Sequence, residues 1–240
     1  MAKKNQGDKY DKLPKRHRDN MRSRKDDALL APEAVSVLKS FKAPKFDQTV
    51  EVVFNLGIDP RHADQAIRGS VSLPKGIGKT SRVVAFCTAD KEQACLDAGA
   101  VKAGAENLVQ EIERGFFDFD VAVATPDMMR VISKLGRVLG PKGLMPSPKA
   151  GTVTKDVVGA VGEFAAGKVE YRNDKGGNIH APIGKMSFSE SDLTENLEHF
   201  ISVIEGLRPS SVKGQYMKKV AISGTMTPSV IVKVVSAEAE

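Results

Sequence analysis

The spacing of apolar residues divides the chain into three stretches of different character. In the first, apolar side chains recur on one face of a helix from residue 32 to about 41, which Pro32 opens. Two strands follow at residues 50–56 and 69–73, and Pro74 ends the second. Because one helix and two strands cannot close a core, the first stretch predicts partners elsewhere in the chain.

The middle stretch, residues 76–166, alternates strands with helices. Continuous apolar runs predict strands that are buried on both faces, and the segments between these runs have the apolar spacing of helices. The predicted strands are 82–87, a short one near Val101, and 120–124; the predicted helices are 91–98, 106–114, 125–135, which Thr125 caps, and 155–166. This order predicts a small inserted α/β domain with a parallel sheet.

The last stretch resembles the first, since its pattern again predicts separate strands and an amphipathic helix. It predicts a strand at 168–172, an amphipathic helix at 189–206 that Ser189 caps, and strands at 220–222 and 230–234. Together the two ends of the chain predict one discontinuous α+β domain, residues 29–75 and 167–240. Because the insert leaves this domain at two adjacent crossings, a hinge is expected there.

A loop in the middle stretch is rich in cations. No Asp or Glu occurs from residue 128 to 155, and residues 136–151 combine four Gly and three Pro with Arg137, Lys142 and Lys149. Gly and Pro exclude a helix or a central strand here. Two interpretations remain, a solvated surface turn and a loop that faces a polyanion.

The positive charge is concentrated at the amino end. The net charge is +6, and residues 1–25 hold ten Lys or Arg against three Asp, a balance of +7 that leaves −1 for the rest. Residues 1–28 are therefore predicted to be a disordered basic tail, which either contacts phosphates or only aids solubility. No apolar run is long enough to span a membrane, and no secretory signal is expected. Cys87 and Cys95 are interpreted as reduced and structural, since they lack metal-ligand spacing to any His.

Catalytic motifs are weak. Residues 76–80, GIGKT, resemble part of a phosphate-binding loop, but the position that requires the first Gly is Leu73, and the motif precedes its strand. No nucleophile–base pair can be argued from position. His180 follows a polar segment at residues 172–179, for which two interpretations stay open, a hairpin turn and an array of donors for phosphates and 2′-hydroxyls.

Seven short motifs occur together and in order. They are KFDQTVEV at 45–52, LGIDPR at 56–61, VSLP at 71–74, LGRVLGPKGLMP at 135–146, VEYRNDK at 169–175, IHAP at 179–182, and TM with PS at 225–226 and 228–229. In this combination the chain resembles the large-subunit ribosomal protein L-one family, bacterial type, the protein of the mobile stalk beside the tRNA exit site. The resemblance covers about residues 29–235.

The resemblance implies a first domain made of both chain ends and a Rossmann-like inserted domain. It implies a structural, non-enzymatic protein of the cytoplasmic ribosome that needs no cofactor, touches no membrane and is a monomer off the ribosome. The implied partners are large-subunit ribosomal RNA, the deacylated tRNA that leaves the exit site, and the protein's own messenger RNA, whose translation it would repress. The alternative is a nucleotide-dependent enzyme built on the α/β insert.

Site residues follow from the matching motifs. The RNA-binding residues that the resemblance implies are Lys45, Phe46, Glu51, Arg172, Asp174, His180, Ser211, Lys213, Thr225, Met226 and Thr227. The charge pattern adds a secondary basic loop with Arg137, Lys142 and Lys149. Thr225 and Met226 carry no charge, so they would read shape, although a plain turn is the competing interpretation. The family usually has Gly where this chain has Thr227, so the added Cβ requires either a permitted backbone conformation or a shifted loop.

Overall fold

The computed structural model describes residues 12–62 and 64–234. Residues 1–11 of the predicted tail and residues 235–240 of the predicted first domain lie outside the described residues. The helices are α1 Lys15–Ser23, α2 Ala31–Ser40, α3 Ala89–Asp97, α4 Glu106–Glu113, α5 Met129–Ile132, α6 Gly136–Leu139, α7 Val157–Ala165 and α8 Glu190–Gly206. The strands are β1 Thr49–Leu56, β2 Arg68–Val71, β3 Val83–Phe86, β4 Ala100–Gly104, β5 Val121–Ala124, β6 Val169–Arg172, β7 Asn178–Lys185, β8 Met217–Gly224 and β9 Val230–Val232.

The fold is mixed α/β, and its contacts divide the chain into two compact units. The first unit consists of Met1–Ala66 and Asn173–Glu240, and the second of Ile67–Arg172. In the first unit an antiparallel sheet has the strand order β7-β1-β8-β9. Its inner face packs against α2 and α8, where the rings of Phe54 and Phe200 meet edge to face with centroids 5.2 Å apart. In this two-layer core, elements from both ends of the chain pack together.

Helix α8 forms as the sequence predicts. The hydroxyl of Ser189 accepts a hydrogen bond from the amide of Asp192 at 3.0 Å and so satisfies one of the free donors of the first turn. Four residues of its apolar stripe, Leu193, Leu197, Phe200 and Ile204, are fully buried, and Ile201 is partly exposed. By contrast, Thr125 makes no side-chain cap at its predicted position. The segment after it is an irregular succession of short α and 3₁₀ turns from residue 126 to 139.

Strand β7 was not predicted. Its eight residues include Pro182, which interrupts a strand pattern because it cannot donate to a ladder. The strand lies at the edge of the sheet, and β1 is the only one of the described strands that pairs with it; beyond that ladder, an isolated bridge joins Ile179 to Asn173. A proline is tolerated there, and the polar segment that precedes β7 is a hairpin turn.

The second unit confirms the predicted parallel sheet. Strands β4, β3 and β5 are hydrogen-bonded in that order and run in the same direction. One face is covered by α4 and by the turns around Leu135, and the other by α3 and α7. Since every residue of β3 is buried, its continuous apolar run is explained by helices on both faces.

The border between the units differs from the predicted 76–166. Strands β2 and β6 were expected in the discontinuous domain, but they pair only with each other, as a two-stranded antiparallel ladder. An ion pair between Arg68 and Glu170, with 2.7 Å between Nη2 and Oε1, crosses this ladder. The compact units therefore divide at Ile67 and Arg172, outside the ladder.

The predicted disorder of residues 1–28 is wrong for Lys15–Ser23, which form helix α1. Charge composition alone favours disorder. The helix is instead held by a tertiary contact, because Asn20 is 1% exposed and exchanges two hydrogen bonds with the backbone of Lys42. A contact this distant in sequence could not be read from local composition.

The exclusion of helix from residues 136–151 is also wrong at Gly136–Leu139, which form the single helical turn α6. Leu139 is fully buried in the core of the second unit, and Leu144 and Met145 pack against the same core. Burial of these side chains offsets the backbone cost of the glycines. Pro148–Ala150 add a 3₁₀ turn, and Gly151 ends it at a φ of 69°, which favours glycine.

Candidate nucleic-acid interface

One face of the four-stranded sheet points away from α2 and α8. Glu51 on β1 and His180 on β7, two of the predicted site residues, are exposed on this outer face. Lys219 on β8 is exposed on the same face, since it pairs directly with Asn55. Antiparallel sheets commonly bury one face and solvate the other, which leaves a broad polar surface for a partner.

The turn between β8 and β9 lies beside the first residue of β1. The amide of Thr225 donates to the carbonyl oxygen of Thr49 at 3.1 Å, and the amide of Thr49 donates to the hydroxyl of Thr225 at 3.2 Å. Thr225 is nevertheless exposed. Its hydroxyl thus fixes the turn and retains acceptor capacity for a partner.

Gln48 lies fully buried beneath this turn and was not among the predicted site residues. Its Oε1 accepts a hydrogen bond from the amide of Met226 at 2.8 Å, and its carbonyl accepts one from the amide of Met186 at 2.9 Å. The side chain of Met226 is 48% exposed on this fixed backbone. Gln48 stands inside the KFDQTVEV motif, so a polar residue directly before a strand was the available signal.

Thr227 faces inward. It is 9% exposed, and its hydroxyl accepts a hydrogen bond from the amide of Gly224 at 2.8 Å. No non-glycine residue among residues 12–62 and 64–234 has a positive φ, so the Cβ of Thr227 occupies a permitted conformation. A threonine here required either a permitted backbone conformation or a shifted loop, and the structure has the permitted conformation. The side chain shapes the turn from inside.

Lys45 and Phe46 lie in the segment that leads into β1. Lys45 is exposed, and the ring of Phe46 is 53% exposed. The segment is fixed at Asp47, whose carboxylate accepts hydrogen bonds from the amide and the hydroxyl of Ser187 at 3.1 and 2.8 Å. Two large apolar side chains, Phe46 and Met226, therefore stand exposed at the same end of the sheet.

Asp174 lies in the hairpin before β7, at the opposite end. Its carboxylate accepts hydrogen bonds from the amides of Gly176 and Asn178 at 2.8 and 2.7 Å. These bonds, first those from Asn178, lower the pKa of Asp174, and the imidazole of His180 at 3.9 Å adds a smaller effect. The carboxylate organises the hairpin, which makes Asp174 first of all a structural residue of this end.

Ser211 and Lys213 lie in the loop between α8 and β8. A hydrogen bond from the side chain of Ser211 lowers the pKa of Asp64. Lys213 is exposed, next to Gly214, whose carbonyl accepts a hydrogen bond from Arg208 at 3.2 Å. This loop leads into the start of β8, and Met217 there pairs with the last residue of β1.

The predicted residues of the first unit thus form two groups, joined by the outer face of the sheet. One group surrounds the start of β1 and the turn at residues 225–227, and the other surrounds its end. The eight residues of β1 separate the groups by about 23 Å at the rise of an extended strand. Glu51 and His180 lie on the face between them.

The other predicted residues belong to the second unit. Arg172 is exposed at the end of β6, and Arg137 and Lys149 are exposed in the basic loop. The ammonium of Lys142 lies 4.1 Å from the ring centroid of Phe117, a cation–π contact that orients its side chain. The basic loop is therefore an ordered cationic surface of the second unit.

The geometry of residues 76–80 is unsuited to a nucleotide. The segment precedes β3, whereas ligands of open parallel sheets bind beyond the carboxyl ends of the strands. Lys79 instead pairs with Asp120 at 3.3 Å. Across the part of the chain that the structure describes, no group of His, Cys, Asp and Glu side chains could hold a metal ion. Cys87 and Cys95 are buried, and burial raises the pKa of Cys87 to about 12.

The sequence model of the ribosomal protein L1p/L10e family matches residues 38–228. The chain belongs to this family. The match spans most of both units, including the turn at residues 225–227 and the basic loop. As an L1p/L10e protein the chain is a cytoplasmic, ribosomal, structural component that binds large-subunit ribosomal RNA.

None of the helices in residues 12–62 and 64–234 has the length and apolarity that crossing a membrane requires. Helix α1, residues 15–23, falls outside the matched region.

Proposed function

We propose that the first unit binds ribosomal RNA through the turn at residues 225–227, the segment at Lys45 and Phe46, and the outer face of the sheet. Arg172, Asp174, His180, Ser211 and Lys213 would contact the same RNA further along. One observation carries the proposal, namely that Met226 is half exposed while its backbone is held by the buried Gln48. A preorganised apolar group of this kind supports recognition of a ribose or base by shape.

The uncharged groups and the cations have different roles in this proposal. Phosphate contacts supply affinity that salt weakens, whereas contacts to sugars and bases supply discrimination. Lys45, Lys213 and Lys219 are exposed and would hold phosphates, and Thr225 and Met226 would read shape. Thr227 would contribute only through the form of the turn, because its hydroxyl is occupied inside the protein.

We also infer the finer functions that go with such a site. The protein forms the mobile stalk of the large subunit, assists the release of deacylated tRNA from the exit site, and represses translation of its own messenger through the same surface. Off the ribosome it is a monomer. The basic loop with Arg137, Lys142 and Lys149 is a secondary RNA contact. The two units act as separate domains, a discontinuous α+β domain and an inserted Rossmann-like domain.

An RNA pull-down from lysate beside equilibrium dialysis against ATP and NAD tests this proposal. Recovery of large-subunit ribosomal RNA, with its own messenger as a second captured RNA and no retention of either nucleotide, is the expected result. Retention of ATP or NAD without specific RNA would favour the enzyme on the α/β insert. Capture of the ribosomal RNA without the messenger would remove repression and leave the structural role.

A further inference from the structure

Helix α1 is docked beside the proposed RNA-binding turn. Asn20, at 1% exposed, donates from its side-chain nitrogen to the carbonyl of Lys42 at 3.1 Å and accepts from the amide of Lys42 at 2.9 Å. The ammonium of Lys42 pairs with Asp19 at 2.7 Å, and this contact lowers the pKa of Asp19. A buried amide that bonds both backbone groups of one residue fixes position and register.

The amino-terminal end of the helix reaches the turn itself. Arg16 lies one helical turn before Asn20, and its Nη1 donates to the carbonyl of Met226 at 3.4 Å and to that of Lys42 at 3.5 Å. Lys12 and Lys15 precede Arg16 and are exposed. The helix is therefore anchored at Asn20 and presents cations next to Met226.

The contact leaves the recognition groups uncovered. Arg16 touches the backbone of Met226, while the side chain of Met226 stays 48% exposed and Phe46 stays 53% exposed. A helix that blocked the turn would bury these two side chains. The observed arrangement instead places the cations of α1 beside two apolar side chains, Met226 and Phe46, that stay exposed.

We propose that α1 is a fixed part of the RNA-binding surface, and that Lys12, Lys15 and Arg16 hold the phosphates of the strand that Met226 and Phe46 contact. This inference rests on the proposed function, since it names a further contact of the same site. A docked α1 differs from a loose basic tail because RNA binding then depends on the position of the charges as well as on their number. A loose tail would raise affinity for all RNAs alike.

Two kinds of variant separate position from charge. Asn20→Ala removes the anchor and leaves the charge unchanged, so it should lower affinity for a ribosomal RNA fragment several-fold. Lys12→Gln with Lys15→Gln keeps the anchor and should flatten the log–log salt dependence by up to about 0.7 to 0.9 per lost phosphate contact. The matched control is Lys25→Gln with Lys233→Gln, two exposed lysines outside α1 and outside the turn, which should alter the slope less.

A positional probe makes the same test directly. Ser23 is exposed at the end of α1, and the two native cysteines are buried, so Ser23→Cys can be labelled alone with iron–EDTA. Hydroxyl radicals from the bound label should cut one short stretch of the RNA fragment. Adding Asn20→Ala should disperse these cuts to the level of free iron–EDTA. Thermal melting of each variant checks that the fold persists.

The outcomes distinguish this inference from the proposed function. If Met226→Ala binds like the wild type, the turn is not the site and the proposed function fails there. If Met226→Ala weakens binding while Asn20→Ala and the Lys12 and Lys15 variant bind normally and the cuts are unfocused, only the role of α1 is overturned. Tighter binding by Asn20→Ala would make the helix a cover and would overturn it equally.

Discussion

The amide of Met226 donates a hydrogen bond to the side-chain oxygen of Gln48 at 2.8 Å, and Gln48 has no exposed surface. The half-exposed residue of the proposed site is thus held by a side chain that no RNA can touch. This relationship separates two roles at one end of the sheet. Gln48 positions the turn, and Met226 makes the contact.

Gln48→Ala should weaken both the fold and RNA binding. It leaves the amide of Met226 without its buried acceptor, a loss that costs about 1 to 3 kcal/mol. Urea unfolding should show this loss, and filter binding should show lower affinity with an unchanged salt slope, because no charge is removed. Asn196→Ala is the matched control, since Asn196 is also fully buried and donates to the carbonyl of Ile183 at 2.8 Å. Equal effects of both variants on RNA affinity would contradict a specific role for Gln48.

Thr227 provides a test of turn shape. Thr227→Val keeps the volume but removes the hydroxyl that accepts from Gly224, so it should cost about 0.5 to 1.5 kcal/mol of stability. Thr227→Gly loses the same bond and adds backbone freedom in the unfolded chain. Both should keep RNA discrimination in a competition assay against a random hairpin. A loss of discrimination in Thr227→Val alone would assign a direct contact to the hydroxyl.

Acid should destabilise the hairpin through Asp174. Hydrogen bonds, first those from Asn178, lower the folded-state pKa of this carboxyl below its ordinary value of 3.8. Its stabilising contribution is therefore complete above the unfolded-state pKa and is lost as the pH falls through the lower, folded-state value. Unfolding at pH 7 and near pH 3 should show a smaller pH effect in Asp174→Asn than in the wild type. The difference should be modest, because the group is exposed and solvent screens it. Identical pH dependence in the two proteins would exclude this contribution.

Replacement of residues 77–166 by a short Gly/Ser linker tests whether the units are separate domains. The β2–β6 ladder lies outside the deleted segment, so its strands can remain paired. Circular dichroism should report a folded protein that still binds the ribosomal RNA fragment specifically. An unfolded product would argue against a separate first domain. A folded product without specific binding would move the main contact to the basic loop.

The sequence predicts the elements whose signals are local. The apolar stripe of α8 and its Ser189 cap could be predicted, because helical spacing and capping depend only on neighbouring residues. The alternation of buried strands and helices in the second unit was readable for the same reason. Strand β7 was hidden by Pro182, which is tolerated because β7 is the edge strand of its sheet.

The residues of the candidate site also fall into those that local motifs indicate and those that only long-range contacts reveal. Motif matching proposed Thr225, Met226, Lys45 and Phe46, but it could not tell which of them are exposed. Gln48 and Asn20 escaped prediction because their partners, Met226 and Lys42, are 178 and 22 residues away in sequence. Long-range hydrogen bonds of buried amides carry no periodic signal, so the supports of the site emerge only from the fold.

Met226→Ala, measured by filter binding to the ribosomal RNA fragment at several salt concentrations, tests the central claim most directly. Met226 is half exposed, so the variant should melt like the wild type. RNA can bury only the exposed half of this side chain, so its loss should cost about half of the 1.5 to 3 kcal/mol for a fully buried methionine. About 0.8 to 1.5 kcal/mol is roughly a 4- to 12-fold loss of affinity. Because no charge changes, the log–log salt lines of variant and wild type should be parallel and displaced. Superimposed lines, with wild-type affinity at every salt concentration, would contradict recognition through this turn.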